Sequence, residues 1–175
     1  MELRNALAGD AREIALLHAD SWRRTYRGSY SDEFLDGDAV QNRLDVWQER
    51  LKAPPTNQFV LLAEQDHVLQ GFVCARGDDD PVWGSLVDNL HVRQEVKGRG
   101  IGASLMRAVG AWAMECYPKS GVYLWVLEAN TAARGFYEHL GAANQGLVMN
   151  PSADGGVVAA LRYTWPSPSA LLEAR

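Results

Sequence analysis

The chain is poor in everything that would staple it together or hold it in a membrane. Two of its 175 residues are cysteine. Cys74 falls in a strand-like run and Cys116 in a helix-like one, with no ligand or redox spacing between them. A disulfide framework and a cysteine metal site are thereby excluded, and two ordinary buried thiols in a reducing cytoplasm are expected. No apolar run approaches the roughly 20 residues that span a bilayer. The opening MELRNALAGD carries an acid at its second position and lacks the basic and apolar regions of a signal peptide. Internal repeats and low-complexity tracts are missing as well. Positive charge is short: 17 Lys and Arg against 22 Asp and Glu leave a net −5. That balance argues against nucleic acid or an anionic membrane as a partner. Acids do gather in GDDDPVWG, residues 77–84. With no second ligand cluster this reads as a solvated loop tip, and no metal is expected.

What the chain concentrates is glycine in one place. Residues 97–104 read KGRGIGAS, three glycines at alternate positions directly before a helical run. Glycine costs conformational entropy, so a cluster implies a backbone that must bend or approach a ligand closely. The start of a helix offers amides without intrahelical partners and a dipole that favours negative charge. Arg93, Lys97, Arg99 and Arg107 stand here against Glu95 alone, reversing the global charge. An anionic ligand, most simply a phosphate, is expected at this loop.

With 47% hydrophobic residues the chain can bury one good core. We read a single domain over 1–165 and a tail, PSPSALLEAR, over 166–175. A short strand precedes Gly9. Helical spacing runs from Asp10, as N-cap, to about Arg27, and again loosely from Asp32 to Lys52, ended by Pro54-Pro55. FVLLAEQDHVLQGFVCAR reads as two strands around a turn at Gln65-Asp66-His67. Residues 85–92 are strand-like, 100–116 a helix, and GVYLWVL (121–127) a strand buried on both faces. A short helix over 130–140 has Asn130 as N-cap and Gly141 past its end. Strands over 142–149 and 157–165 follow. The class is α/β with one βαβ unit and hairpins at both ends.

GRGIGA also fits the dinucleotide fingerprint G-x-G-x-x-G/A, which would make the protein an NAD(P)-dependent oxidoreductase. Against this, RQEVK separates strand from glycines, Asp88, Asn89 and His91 interrupt the strand, and only one βαβ unit exists. No G-K-[S/T] follows, so a P-loop fails outright.

VDNLHVRQEVKGRGIGASLM followed by LEANTAARGFYEHLGA resembles the GNAT superfamily of acyl-CoA-dependent N-acyltransferases. In that family a strand leads into [Q/R]-x-x-G-x-[G/A], and N-x-x-A-x-x-F-Y-x-x-x-G closes the cofactor site. The first motif is matched by Lys97 to Gly102 at both glycines, with lysine for Gln/Arg, which keeps the charge but loses the guanidinium fork. The second is matched throughout by Asn130, Ala133, Phe136, Tyr137 and Gly141. Relatives also commonly carry proline where Gln94 stands.

The resemblance implies a mixed, mostly antiparallel sheet of about six or seven strands with a central parallel pair, flanked by about four helices. It implies acetyl transfer from acetyl-CoA to a primary amine of a small molecule or peptide, by direct attack in a ternary complex. A noncatalytic acyl-CoA-binding module on the same fold is the alternative. The pyrophosphate would lie on the amides of Arg99, Gly100, Ile101, Gly102 and Ala103, with Lys97 and Gly98 completing the cofactor-binding loop. Leu90, His91 and Val92 would flank the pantetheine, and Asn130, Ala133 and Tyr137 would close the site. Oligomeric state stays open between monomer and homodimer.

Acyl transfer needs a deprotonated amine, donors for the carbonyl oxygen, and a proton for the departing thiolate. Tyr137, two helical turns from Asn130, is the candidate acid, at the edge of a core stripe formed by Phe136 and Leu140. Asp88, His91 and Glu128 compete as base, and the resemblance favours Asp88. His18 and His139 are expected on helix surfaces and His67 in a turn. Trp22, Tyr26, Tyr30, Phe34 and Trp47 beside Asp32, Glu33, Asp36 and Asp38 are either core or a cation-attracting wall for the amine.

Overall fold

Apolar side chains alternate along the strands, so a single sheet has two faces to cover, and helices cover both. The computed structural model describes residues 1–173. In chain order it holds β1 (Glu2–Asn5), α1 (Ala11–Thr25), α2 (Asp32–Asp36), α3 (Ala39–Lys52), β2 (Gln58–Gln65), β3 (Val68–Asp80), β4 (Gly84–Val92), α4 (Ile101–Cys116), β5 (Val122–Leu127), α5 (Thr131–His139), β6 (Ala143–Pro151), β7 (Val157–Trp165) and α6 (Ser169–Glu173). Two one-turn 3-10 helices, at Ala8–Asp10 and Gln94–Val96, complete it. The seven strands form one sheet in the order β1-β2-β3-β4-β5-β7-β6. Every neighbouring pair is antiparallel except β4–β5. The expected architecture is thus present, with α2 and α6 as short additions.

Adjacent residues on β2 show the division of labour. Leu61 faces a core with Leu105, Val109, Leu124 and Tyr137 from α4, β5 and α5. Leu62 faces the opposite core with Ile14, Leu17, Trp47 and Phe72, under α1 and α3. A third cluster of Trp22, Phe34 and Leu35 caps the far end of α1.

Several local expectations fail for identifiable reasons. Asp10 does not cap α1. Its carboxylate instead takes both terminal nitrogens of Arg4 at 2.8 Å and the Leu7 amide at 2.7 Å. The helical stretch from Asp32 to Lys52 is two helices, interrupted at Gly37-Asp38, with Ser31 capping the first through the Phe34 amide. Residues 77–80 belong to β3 and do not form a free loop. There Asp79 accepts from the Tyr123 hydroxyl at 2.6 Å, and Asp80 caps the turn through the amides of Val82 and Trp83. His18 is wholly buried, while Cys116 is exposed. Residues 166–173, set apart in the sequence as a tail, include α6. Leu171 is buried where a Cβ on Gly110 of α4 would come within 2.8 Å of it.

Candidate active site

The parallel pair is what opens the molecule. β4 and β5 are in register only over Ser85–Val87 and Val122–Leu124. At that end the backbones are pinched together. Gly84 has φ +87°, and a Cβ there would lie 2.2 Å from the Gly121 carbonyl. Beyond Val87 the strands part. The separation starts at a bulge: Cys74 on β3 faces Asn89, and the next residue, Ala75, faces Val87. Asp88 is therefore the extra residue, and bulges of this kind re-aim side chains. The bulge also shifts which amides face which edge. Arg93 donates its amide to Gln70 on the β3 side, so by strand alternation the amides of Leu90 and Val92 face the open edge.

Into this opening runs a cavity of about 740 Å³. One end is the glycine loop. Gly98 and Gly100 have φ +78° and +81°, and a Cβ at either would meet nothing within 4 Å. α4 starts on Gly100 with no side-chain cap and no acid in its first turn. The first helical bond is Ser104 to Gly100, so the amides of Ile101, Gly102 and Ala103 lack intrahelical partners. Gly102 also matters for packing, since a Cβ there would lie 3.1 Å from Phe136, and its absence lets α4 approach α5.

α5 supplies the middle of the cavity. Asn130 caps it by accepting from the Ala133 amide at 3.2 Å, which leaves the side-chain NH₂ for the cavity. Tyr137 is buried among core side chains yet lines the cavity. Desolvation pushes its phenol well above the usual tyrosine range, so the group stays protonated and able to donate.

The far end is built from β4 and α1, with Ser21, Thr25 and Tyr26 joining Asp88 and His91. Asp88 is held by Arg50 at 2.6 Å and Arg76 at 3.4 Å. His91 is buried, hydrogen-bonds Ser21 Oγ through Nδ1 at 2.8 Å, and packs on His18 at 4.3 Å between ring centroids. Desolvation, then Lys97 and Arg43, pull its imidazole down to about 3. His18 accepts from Trp47 Nε1 at 3.1 Å, so its proton sits on Nε2, which finds no partner.

The structure brings the predicted cofactor-binding residues together with Asp88 and Tyr137, except Arg99, whose exposed side chain lies outside the cavity lining. Of the three candidate bases, Glu128 is exposed and also outside the lining, while His91 is a poor proton acceptor at neutral pH. Of the two readings of the N-terminal aromatics, core is the one found: Trp22, Phe34 and Trp47 are buried, and of the five only Tyr26 lines the cavity. Arg27 already occupies Asp32 and Asp36 at 2.8 and 2.5 Å, and the Arg43 guanidinium covers the Trp22 ring at 4.2 Å. Sequence reasoning missed Ser21 and Thr25, whose i, i+4 spacing on α1 was the available signal, and Trp125, hidden in an apolar strand.

Among the described residues there is no group of acids, histidines and cysteines that could hold a metal, and no helix long and apolar enough to cross a membrane. The dinucleotide alternative finds no support in this topology, since β4–β5 is the one parallel pair in the sheet described.

Comparison with known proteins identifies the family and the fold. The family model described as acetyltransferase (GNAT) matches residues 19–142. An uncharacterized N-acetyltransferase of Bacillus subtilis, YuaI, is 29% identical over 131 residues, covering 73% of this chain and 72% of its own. A GCN5-related N-acetyltransferase structure from Rhodopseudomonas palustris superposes with TM-score 0.74 at 22% identity, over 93% of each chain. YncA of Salmonella typhimurium, a putative acetyltransferase solved with acetyl-CoA, gives TM-score 0.66 at 18% identity, over 94% of this chain and 92% of its own.

Proposed function

The chain belongs to the acetyltransferase (GNAT) family and is an acyltransferase, and from that premise we propose that it moves an acetyl group from acetyl-CoA to a primary amine within one ternary complex. The observation that carries this reading is the single cavity that joins the uncapped start of α4, the open edge of β4 and the Tyr137 phenol. A relative of the same fold was solved with acetyl-CoA, and the loop amides here suit a pyrophosphate. Lys97 and Arg107, both on the cavity lining, add positive charge.

In this reading the amine lone pair attacks the thioester carbon. The Leu90 and Val92 amides hold the charge that develops on the carbonyl oxygen. As the C–S bond breaks, Tyr137 gives its proton to the sulfur. Asp88, oriented by Arg50 and Arg76, faces the amine and takes its proton on toward solvent. Asn130 uses its free NH₂ on the ligand while its oxygen holds the helix. No step calls for a metal. Two free thiols, one of them exposed, fit a cytoplasmic setting.

The test is release of CoASH from acetyl-CoA in the presence of amino acids, polyamines, aminoglycosides and peptide N-termini. Amine-dependent thiol release supports the enzyme. Tight acetyl-CoA binding with no release across the whole panel makes the protein a binding module.

A further inference from the structure

The acceptor end carries more positive charge than the reaction asks for. Arg50 and Arg76 are balanced by Asp88, and Arg76 also reaches Asp79 at 3.5 Å. Arg43 has no such balance. Its Nε and Nη2 both go to one neutral atom, Asn42 Oδ1, at 3.0 and 2.5 Å, and among the described residues no carboxylate lies within ion-pairing distance. The guanidinium carbon stands 4.2 Å from the Trp22 ring centroid, just behind the cavity lining, and the Trp22 ring is 5.7 Å from Tyr26, a residue of the cavity wall, and 5.2 Å from Tyr30. Desolvation and the neighbouring Arg50 pull it down to about 10, with Asp88, Tyr26 and Tyr30 as its other electrostatic neighbours. A half-buried cation without a counter-charge is unfavourable in the free protein, and a ligand anion removes that cost.

We propose that Arg43 is an anion-binding residue of the acceptor site, and that the acceptor is a compact amine bearing a carboxylate, such as a free amino acid. This rests on the acetyltransferase reading above. The Asn42 bonds and the contact with Trp22 hold the guanidinium and leave Nη1 and the second Nη2 hydrogen for a planar two-oxygen group. Since Arg50 and Arg76 are already committed to Asp88, one free guanidinium suits one monoanion. The amine of the same molecule then falls toward Asp88, which is within electrostatic reach of Arg43. The same charge pattern repels polycations, so polyamines and aminoglycosides are excluded as acceptors.

The experiment compares amino acids with their carboxamides and with the corresponding decarboxylated amines, at saturating acetyl-CoA, in the wild type, Arg43→Gln and Arg43→Lys. The acids should exceed their carboxamides in kcat/KM by tenfold or more, chiefly through KM. Arg43→Gln should bring that ratio close to one, and Arg43→Lys should leave part of it. An upward shift of the unfolding midpoint with acetyl-CoA verifies that each variant is folded and cofactor-competent. Carboxamides or polyamines turned over as well as the acids would overturn the proposal while leaving the acetyltransferase reading intact. So would an acid preference that survives Arg43→Gln, or turnover confined to amines without a carboxylate. If acetyl-CoA itself fails to bind the wild type, the acetyltransferase reading falls, and this inference with it.

Discussion

At one end of the cleft residues 97–103 offer backbone amides, two glycines at positive φ and no side-chain cap. At the other, β4 and α1 form the wall, and behind it α1, α2 and α3 carry side chains that hold one another: Arg27 on Asp32 and Asp36, Arg43 on Trp22, Trp47 on His18. The first end recognises by main chain, and main-chain recognition demands particular residue types at particular spacings. The second recognises by which side chains remain unpaired after folding. Two polar regions of one cavity thus differ in how their chemistry is encoded, and the variants that probe them should behave differently.

The sharpest break should come where the two ends meet, at Tyr137. Tyr137→Phe keeps the packing and most of the cofactor affinity but removes the proton donor. The expected loss is about 10²–10⁴-fold, in kcat more than in KM. Steady-state kinetics with a verified acceptor checks it, and an unchanged kcat returns Tyr137 to a packing role.

At the loop end, Gly100→Val should abolish the thermal shift produced by CoA and also cost about 1–3 kcal/mol, because a β-branched residue is strained at φ +81°. Gly102→Ala is the control that separates ligand from packing. Its Cβ meets Phe136, so its effect should appear first in the unfolding midpoint. Calorimetry on both variants, with and without CoA, tells them apart.

The helical end should reveal itself through pH. His91 is held down to about 3 and His18 below its ordinary value, both chiefly by burial. The unfolded chain binds protons on these groups below about pH 6.5, while the folded chain does not. Stability is therefore fully present above pH 6.5 and falls as pH drops from there toward 3. The slope is about 1.4 kcal/mol per pH unit for each histidine. Urea unfolding between pH 7 and 4.5 should show this loss, and His91→Asn should reduce it to the share of His18. A stability that stays level down to pH 4.5 would contradict the buried neutral pair.

The smallest effect separates two jobs of one residue. Asn130→Asp keeps the cap oxygen but removes the NH₂ donor, so stability should hold while CoA binding weakens a few-fold. Asn130→Ala should lose both, with about 1 kcal/mol from the cap. Equal CoA affinity in wild type and Asn130→Asp would confine Asn130 to capping.

The same contrast explains what was legible in the sequence. Period and punctuation marked α4, α5, the buried strand β5 and the Asn130 cap, because each depends on neighbours a few residues away. Asp88 was visible as a polar interruption in a strand. Its placement at a bulge was not, since that depends on the pairing of β4 with β3. His18 looked like a surface residue because its helix is amphipathic, and its burial comes from Trp47, Phe72 and His91 closing over it. The aromatic and acidic run over 22–38 allowed two readings, core or attraction for cations. Long-range partners decided it for the core: Trp22 and Phe34 are buried, and Arg43, which covers Trp22, lies 21 positions away, so that no local pattern pairs them.

Amide hydrogen exchange with and without acetyl-CoA reads the central claim at the atoms that carry it. Binding should slow exchange at residues 98–103 and at Leu90 and Val92 on the open edge of β4, while residues 22–43 change little until an acceptor is added. Unchanged exchange at the loop and β4, or cofactor protection confined to α1–α3, would contradict the assignment of the two ends.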